Sequence, residues 1–200
     1  MFKRLFKRKF TEKEFWTWFE QNCEDYFQLD QDKHEILFNR LASKLSRYHP
    51  DLVFEFNVEM DKGRREFIIS ADGIISAFPA VTRLVEAAPP LVLKKFNVIA
   101  FRQRQIDEQE VHFEDISLNT KDVFFTYTED TRMNRLDLVM HIRGYNQRNE
   151  HFIGAAFILL DSLIGEYDVG TKIGEITFEP YQEQEDIQLI SSLASLVDKM

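Results

Sequence analysis

Two arginines in the stretch AFRQRQ could together bind an anion. Arg102 and Arg104 are two residues apart, at the end of a predicted strand. That spacing places both side chains on one face, where two guanidinium groups can clamp a carboxylate or a phosphate. The alternative is that both arginines face solvent or pair with the many acidic residues nearby.

Asp72 is the third candidate for a ligand-binding role. It lies between a predicted strand and a predicted helix in IISADGIISAFPAV, and such loops often carry catalytic or binding residues. Asp-Gly is also ordinary turn chemistry, because glycine accepts a positive φ and aspartate bonds its own backbone. The matching position in the second half is Arg143-Gly144, which keeps the glycine without the acid and favours the turn.

The remaining chemistry-bearing residues predict no catalytic site, cofactor or metal. Asp161, Glu166 and Asp168 lie close together in LLDSLIGEYD, but Asp161 and Glu166 do not stack on one helical face. The histidines show no metal-ligand spacing, Cys23 has no cysteine partner, and no nucleotide-binding or nucleophile motif occurs. An active site assembled from distant residues remains an alternative.

The elements that must position these residues follow a repeated order. Two helices are predicted over residues 11–49, the first with a capping box formed by Thr11 and Glu14. A hairpin, a helix ended by Pro89-Pro90 and a strand follow over residues 51–104. The order strand, strand, helix, strand returns over residues 122–181, with Phe54 corresponding to Phe125, Phe56 to Tyr127 and Phe101 to Phe178. A final helix is predicted over residues 183–200.

The sequence therefore predicts an α+β fold built from two strand-strand-helix-strand units, with additional helices at both ends. Residues 105–121 would connect the units. The strands would form mixed or antiparallel sheet, either continuous or in two separate sheets, within a single domain over residues 11–200. A cleft between the units would hold Arg102, Arg104 and Asp72 if the protein bound a small molecule.

Charge separates the first residues from the rest of the chain. Residues 1–13 hold six Lys or Arg and one acid, whereas the whole chain carries −9. In MFKRLFKRKF, apolar side chains share a helical face between basic ones, which is typical of a weak membrane-surface anchor. The candidates for contact with a membrane are Phe2, Lys3, Arg4, Leu5, Phe6, Lys7 and Arg8. The acidic remainder disfavours nucleic acid as a partner.

Several segments resemble an uncharacterised family of bacterial domains of unknown function. They are FWTWFEQN, REFIISADG, VTRLVEAAPPL, VIAFRQR and LDSLIGEYDV, and the resemblance covers the chain from about Phe15 onward. It implies a bacterial cytosolic origin, and it carries no activity, cofactor or catalytic residue with it.

Three functions follow as hypotheses. The leading one is a non-catalytic, cytoplasmic protein-interaction or regulatory module, for which an immunity-type protein that neutralises a basic toxin is one version. A single cysteine fits the reducing cytosol that this hypothesis requires. One alternative is a small-molecule or anion-binding protein, or an enzyme, with a cleft between the two units. The other is a peripheral membrane protein that binds through residues 1–10.

Overall fold

A computed structural model describes residues 10–105 and 110–200 of the chain. The chain divides into two compact units, the first ending at Phe101 and the second running from Arg102 to Met200. Within the described residues, none of the helices combines the length and the apolar character needed to cross a membrane. The predicted membrane-surface residues from Phe2 to Arg8 lie outside the described residues.

The first unit begins with two helices, as predicted. They are α1 (Glu12–Gln28) and α2 (His34–Tyr48). The capping box is confirmed, because the backbone N–H and the hydroxyl of Thr11 both donate to Glu14 Oε2 at 2.9 Å, and the Glu14 N–H donates back to Thr11 Oγ1. This pairing satisfies N–H groups that would otherwise be orphaned at the helix start.

A mixed three-stranded sheet follows in the order β1-β2-β3. Its strands are β1 (Val53–Asp61), β2 (Arg64–Ser70) and β3 (Phe96–Ala100), with β1 antiparallel and β3 parallel to β2. The hairpin turn needs two positive φ angles, which Lys62 (50°) and Gly63 (77°) supply. Helices α3 (Phe78–Glu86) and α4 (Pro90–Leu93) connect β2 to β3. Pro89 has no N–H to donate and prevents α3 from continuing, and Pro90 starts α4, because proline suits the first turn of a helix.

Aromatic rings fill the core of the first unit. Phe19 stacks on Phe67 at 5.0 Å between ring centroids, and Phe67 stacks on Phe56 at 4.6 Å. A buried cation, Arg65, lies at the edge of this core with 5% of its surface exposed. Its guanidinium donates to three backbone carbonyl oxygens, those of Phe27, Asn57 and Val58. Arg65 thereby joins the end of α1 to an irregular section of β1.

The second unit contains a two-stranded and a four-stranded sheet. The hairpin of β4 (Glu110–Phe113) and β5 (Ile116–Asn119) occupies most of the predicted connector. The larger sheet has the order β8-β7-β6-β9. Its elements are β6 (Val123–Asp130), β7 (Arg135–Ile142), α5 (His151–Ile164), α6 (Glu166–Lys172), β8 (Ile173–Pro180), β9 (Gln188–Leu189) and α7 (Leu193–Val197).

Both units share the order hairpin, helix, parallel strand. In the first hairpin, Phe56 of β1 pairs with Phe67 of β2. In the second hairpin, Tyr127 of β6 pairs with Leu138 of β7, which is the corresponding pair. The predicted correspondences of Phe54 with Phe125 and of Phe56 with Tyr127 therefore agree with the strand registers. The correspondence of Phe101 with Phe178 is wrong by one residue, because the residue of β3 that matches Phe178 of β8 is Ala100.

The structure decides between the two predicted sheet arrangements and corrects the predicted final helix. The hydrogen bonds of the described residues form three separate sheets, so the continuous sheet, one of the two predicted alternatives, is not formed among them. The predicted final helix is confined to α7, because Gln188 and Leu189 pair with the edge of β6 before the helix begins. Ile36 is 70% exposed on α2, whereas Leu41 and Leu45 of the same helix are fully buried.

Candidate functional site

Arg102 and Arg104 bind carboxylates of their own unit. Arg102 Nη1 lies 3.3 Å from Asp161 Oδ2, and Arg104 Nη2 lies 2.8 Å from Asp168 Oδ2. Arg104 also donates from Nε to the carbonyl of Ile164 at 2.9 Å. Its Nη1 lies 2.7 Å from a carboxylate at the C-terminal end of α7, that of Asp198. We refer to these two arginines and their three aspartates as the arginine latch.

Backbone bonds hold the latch against the junction between α5 and α6. The Glu166 N–H donates to the carbonyl of Arg102 at 3.0 Å, and the Arg102 N–H donates to Glu166 Oε2 at 3.1 Å. The Gln105 N–H donates to the carbonyl of Ser162 at 2.8 Å. Glycine suits position 165 because its φ of 83° is one that residues with a Cβ rarely adopt.

The latch joins the predicted anion clamp to the predicted acidic cluster. Burial opposes the charge of Arg104, but hydrogen bonds to Asp198 and Asp168 outweigh burial and raise the pKa of Arg104. These bonds use guanidinium donors that an external anion would need. Within residues 10–105 and 110–200, no group of three His, Cys, Asp or Glu side chains has the arrangement of a metal site. The arrangement favours a structural role for the two arginines and for the acidic residues that they contact.

Asp72 occupies a turn directly after β2. It has a φ of 50°, and Gly73 follows with 77°. The Asp72 N–H donates to the hydroxyl of Ser70 at 2.9 Å. Gly144 follows β7 with a φ of 73°, so both units need the same backbone conformation at this point. Asp72 belongs to the first unit, whereas Arg102 and Arg104 belong to the second.

A hydroxyl, an imidazole and a carboxylate lie in sequence on the outer face of the large sheet. His141 Nε2 is 3.2 Å from Thr126 Oγ1, and His141 Nδ1 is 3.7 Å from Glu179 Oε2. Nucleophilic hydrolases use groups in this order. However, His141 is only 3% exposed, and the amide of Gln184 also lies 3.2 Å from Nε2. The chain itself fills the space that a substrate would need, so this cluster attaches the segment after β8 to the sheet.

A group of half-exposed aromatic rings lies at the start of α5. Tyr145 is 5.4 Å from Phe152 and 6.4 Å from Phe178, and Phe178 is 6.3 Å from Phe157, measured between ring centroids. Ile153 lies beside them on α5. We call these five residues the aromatic patch. Rings of this kind can bury an apolar side chain of a partner or stack on a cation.

Helix α5 presents apolar side chains to solvent as well as to the core. Ile153, Phe157 and Ile158 are 39%, 41% and 38% exposed, whereas Ala155 and Ala156 are fully buried. Ile153 and Phe157 therefore lie outside the face of α5 that buries Leu160. The signal that could have revealed the patch is that α5 is apolar on every side, because an isolated surface helix normally carries polar residues outward.

Charge is divided unevenly between the units. The first unit holds sixteen Lys or Arg and fifteen Asp or Glu, whereas the second holds nine and nineteen. Their formal charges are therefore +1 and −10. The aromatic patch lies on the acidic unit. Comparisons with family models, with curated proteins and with solved structures find no match to this chain.

Proposed function

We propose that this protein is a non-catalytic, cytoplasmic protein-interaction module that binds its partner through the aromatic patch. The observation that carries the proposal is the apolar outer face of α5, where Ile153 and Phe157 are 39% and 41% exposed. Contiguous exposed apolar surface is costly for a protein that stays alone in water, and such patches commonly mark interaction sites. Aromatic anchors of this type supply much of the binding energy at interfaces.

The charge of the second unit indicates the chemistry of the partner. The second unit, with a formal charge of −10, favours encounter with a basic protein and disfavours an acidic one. The partner would insert an apolar side chain among the rings and surround it with Lys or Arg. An immunity-type protein that neutralises a basic toxin remains one version of this proposal. The bacterial cytosolic origin that the sequence resemblance implies is consistent with it.

The contribution of Phe157 and Ile153 to partner binding can be estimated from the exposed fraction of each side chain. Burying a whole phenylalanine contributes about 1.5–3 kcal/mol, so the exposed part of Phe157 would contribute about 1 kcal/mol to binding. Ile153 would contribute a similar amount. We expect the double variant Ile153→Ser, Phe157→Ser to weaken partner binding about thirtyfold, since 1.4 kcal/mol corresponds to a factor of ten.

The test is quantitative affinity purification from the native host. Wild type, the double variant and Val58→Ser would be compared, because Val58 is 87% exposed on β1 of the first unit and serves as the matched apolar control. We expect a stoichiometric basic protein that is retained by wild type and Val58→Ser and lost from the double variant. Equal recovery of every co-purifying protein by all three forms would contradict the proposal.

A further inference from the structure

A second surface, on the helices of the first unit, combines cations with aromatic rings. Arg47 lies 4.5 Å from the ring centre of Phe10, and Lys44 and Arg40 lie 5.2 Å and 5.9 Å from the ring centre of Trp18. Arg40, Lys44 and Arg47 follow one face of α2 at helical spacing. Beside them α1 forms a shallow groove, lined in part by Phe10, Lys13 and Trp18. We call these six residues the basic groove.

The cations of the basic groove keep their charge available. Among the described residues, none of Lys13, Arg40, Lys44 and Arg47 lies within ion-pair distance of a carboxylate, and Arg40 donates instead to the neutral amide oxygen of Asn22 at 2.7 Å. Glu14 also lines the groove, but its carboxylate accepts two bonds from Thr11 in the capping box. A surface with four such cations attracts anions.

The sequence immediately before the groove has the same character. Residues 2–9, FKRLFKRK, contain five Lys or Arg interleaved with Phe2, Leu5 and Phe6, and the chain reaches the groove at Phe10. Basic side chains that alternate with bulky apolar ones are typical of segments that lie in the interface of an anionic bilayer. Tryptophan with neighbouring lysine or arginine is likewise favoured at the level of lipid head groups.

We propose that the basic groove docks on an anionic lipid surface, with Trp18 at the level of the head groups and Arg40, Lys44 and Arg47 facing lipid phosphates. A bilayer fits better than single-stranded nucleic acid for two reasons. Nucleic-acid bases stack on open aromatic faces, whereas Lys44 and Arg40 already lie over the ring of Trp18. Nucleic acid also offers no apolar phase for the side chains of Phe2, Leu5 and Phe6.

Vesicle co-sedimentation of the full chain tests this proposal. The variant Arg40→Gln, Lys44→Gln, Arg47→Gln removes three groove cations. The matched control, Lys62→Gln, Arg64→Gln, Lys94→Gln, removes three cations from elsewhere in the first unit. We expect wild type to bind vesicles with 30 mol% phosphatidylserine about a hundredfold or more better than pure phosphatidylcholine vesicles. We expect the groove variant to bind on the order of a hundredfold more weakly, since each cation near an anionic surface contributes about fivefold.

Quenching of tryptophan fluorescence by brominated lipid tests whether the basic groove itself contacts the bilayer. Trp16 is 2% exposed in the core, so Trp18 is the tryptophan that brominated anionic vesicles can quench. We expect quenching in wild type and in the control. Binding without quenching would assign attachment to residues 1–9 alone and overturn the groove proposal. Equal weakening in groove variant and control, or no preference for anionic vesicles, would also overturn it. So would loss of single-strand oligonucleotide binding in the groove variant while vesicle binding stays intact.

Discussion

Replacing Arg104 with glutamine tests whether this side chain stabilises the second unit or binds an external anion. The guanidinium of Arg104 donates to the carbonyl of Ile164 and contacts Asp168 and Asp198. The charged bond to the buried carbonyl is worth about 1.5 kcal/mol. The pair with Asp168 adds about 0.5–1 kcal/mol, because both side chains are partly exposed, and the pair with the more exposed Asp198 adds little. We therefore expect Arg104→Gln to destabilise the α5–α6 junction by about 2 kcal/mol.

Hydrogen exchange measured by mass spectrometry detects this loss of stability at the α5–α6 junction. Amides of the peptides that cover α6 and the end of α5 should exchange about thirtyfold faster in the variant, since 1.4 kcal/mol corresponds to a factor of ten. Asp198→Asn is the matched control and should change exchange less than threefold, because surface ion pairs contribute little. Unchanged exchange in Arg104→Gln, together with thermal stabilisation of wild type but not of the variant by phosphate, would refute the latch and restore the anion site.

Three further predictions concern contacts that lie within one unit or the other. A Cβ on Gly154 would lie 2.5 Å from the ring of Phe113, so Gly154→Ala should destabilise the second unit by about 1 kcal/mol, and Phe113→Leu should partly restore it in thermal melts. The hydrogen bond to Asp115 raises the pKa of His151, so the β4–β5 hairpin should lose protection from exchange as pH rises through that raised value; His151→Gln should abolish this dependence. Arg65→Met should cost about 3 kcal/mol in urea unfolding followed by tryptophan fluorescence, because three carbonyls lose their donor.

The pH dependence of hairpin protection is set by both His151 and Asp115. The folded-state pKa of His151 lies above its unfolded value, so the pair stabilises fully below the unfolded value and is lost towards alkaline pH. The same hydrogen bond lowers the pKa of Asp115, so stabilisation is also lost as pH falls through that lowered value. Protection of the hairpin should therefore be greatest between these two values. A profile that rises steadily towards alkaline pH in wild type would contradict the assignment.

The local sequence pattern was sufficient to predict the strands and those helices that have a single apolar face. Alternation identified β1 and β6, and the Asp-Gly turn after β2 was recognised from turn chemistry, since Gly73 needs a positive φ. Register at strand ends was not recoverable, because Phe101 has left β3 with a φ of 66° and Ala100 takes the matching position. Periodicity could not show which side of an all-apolar helix is buried, and for this reason the exposure of Phe157 was missed.

The latch could not be predicted from spacing either. Arg104 and Asp168 are 64 residues apart, and their 2.8 Å contact depends on how the segment after β3 crosses the α5–α6 junction. In the sequence, the arginines are a candidate anion site, and the acidic residues are a separate group without the spacing of a binding site. Only the tertiary arrangement shows that each neutralises the other. The cations of α2 were overlooked for a related reason, since their contacts join α2 to Trp18 of α1 and to Phe10, which precedes α1.

A photo-crosslinking amino acid at position 157 tests the central claim most directly. The benzophenone side chain would replace Phe157 in the native host, and the same substitution at Val58 would report background, because Val58 is 87% exposed in the first unit. We predict one dominant crosslink to a basic protein from position 157 and none of comparable yield from position 58. An identical set of weak crosslinks from both positions would contradict the claim that the aromatic patch binds a partner.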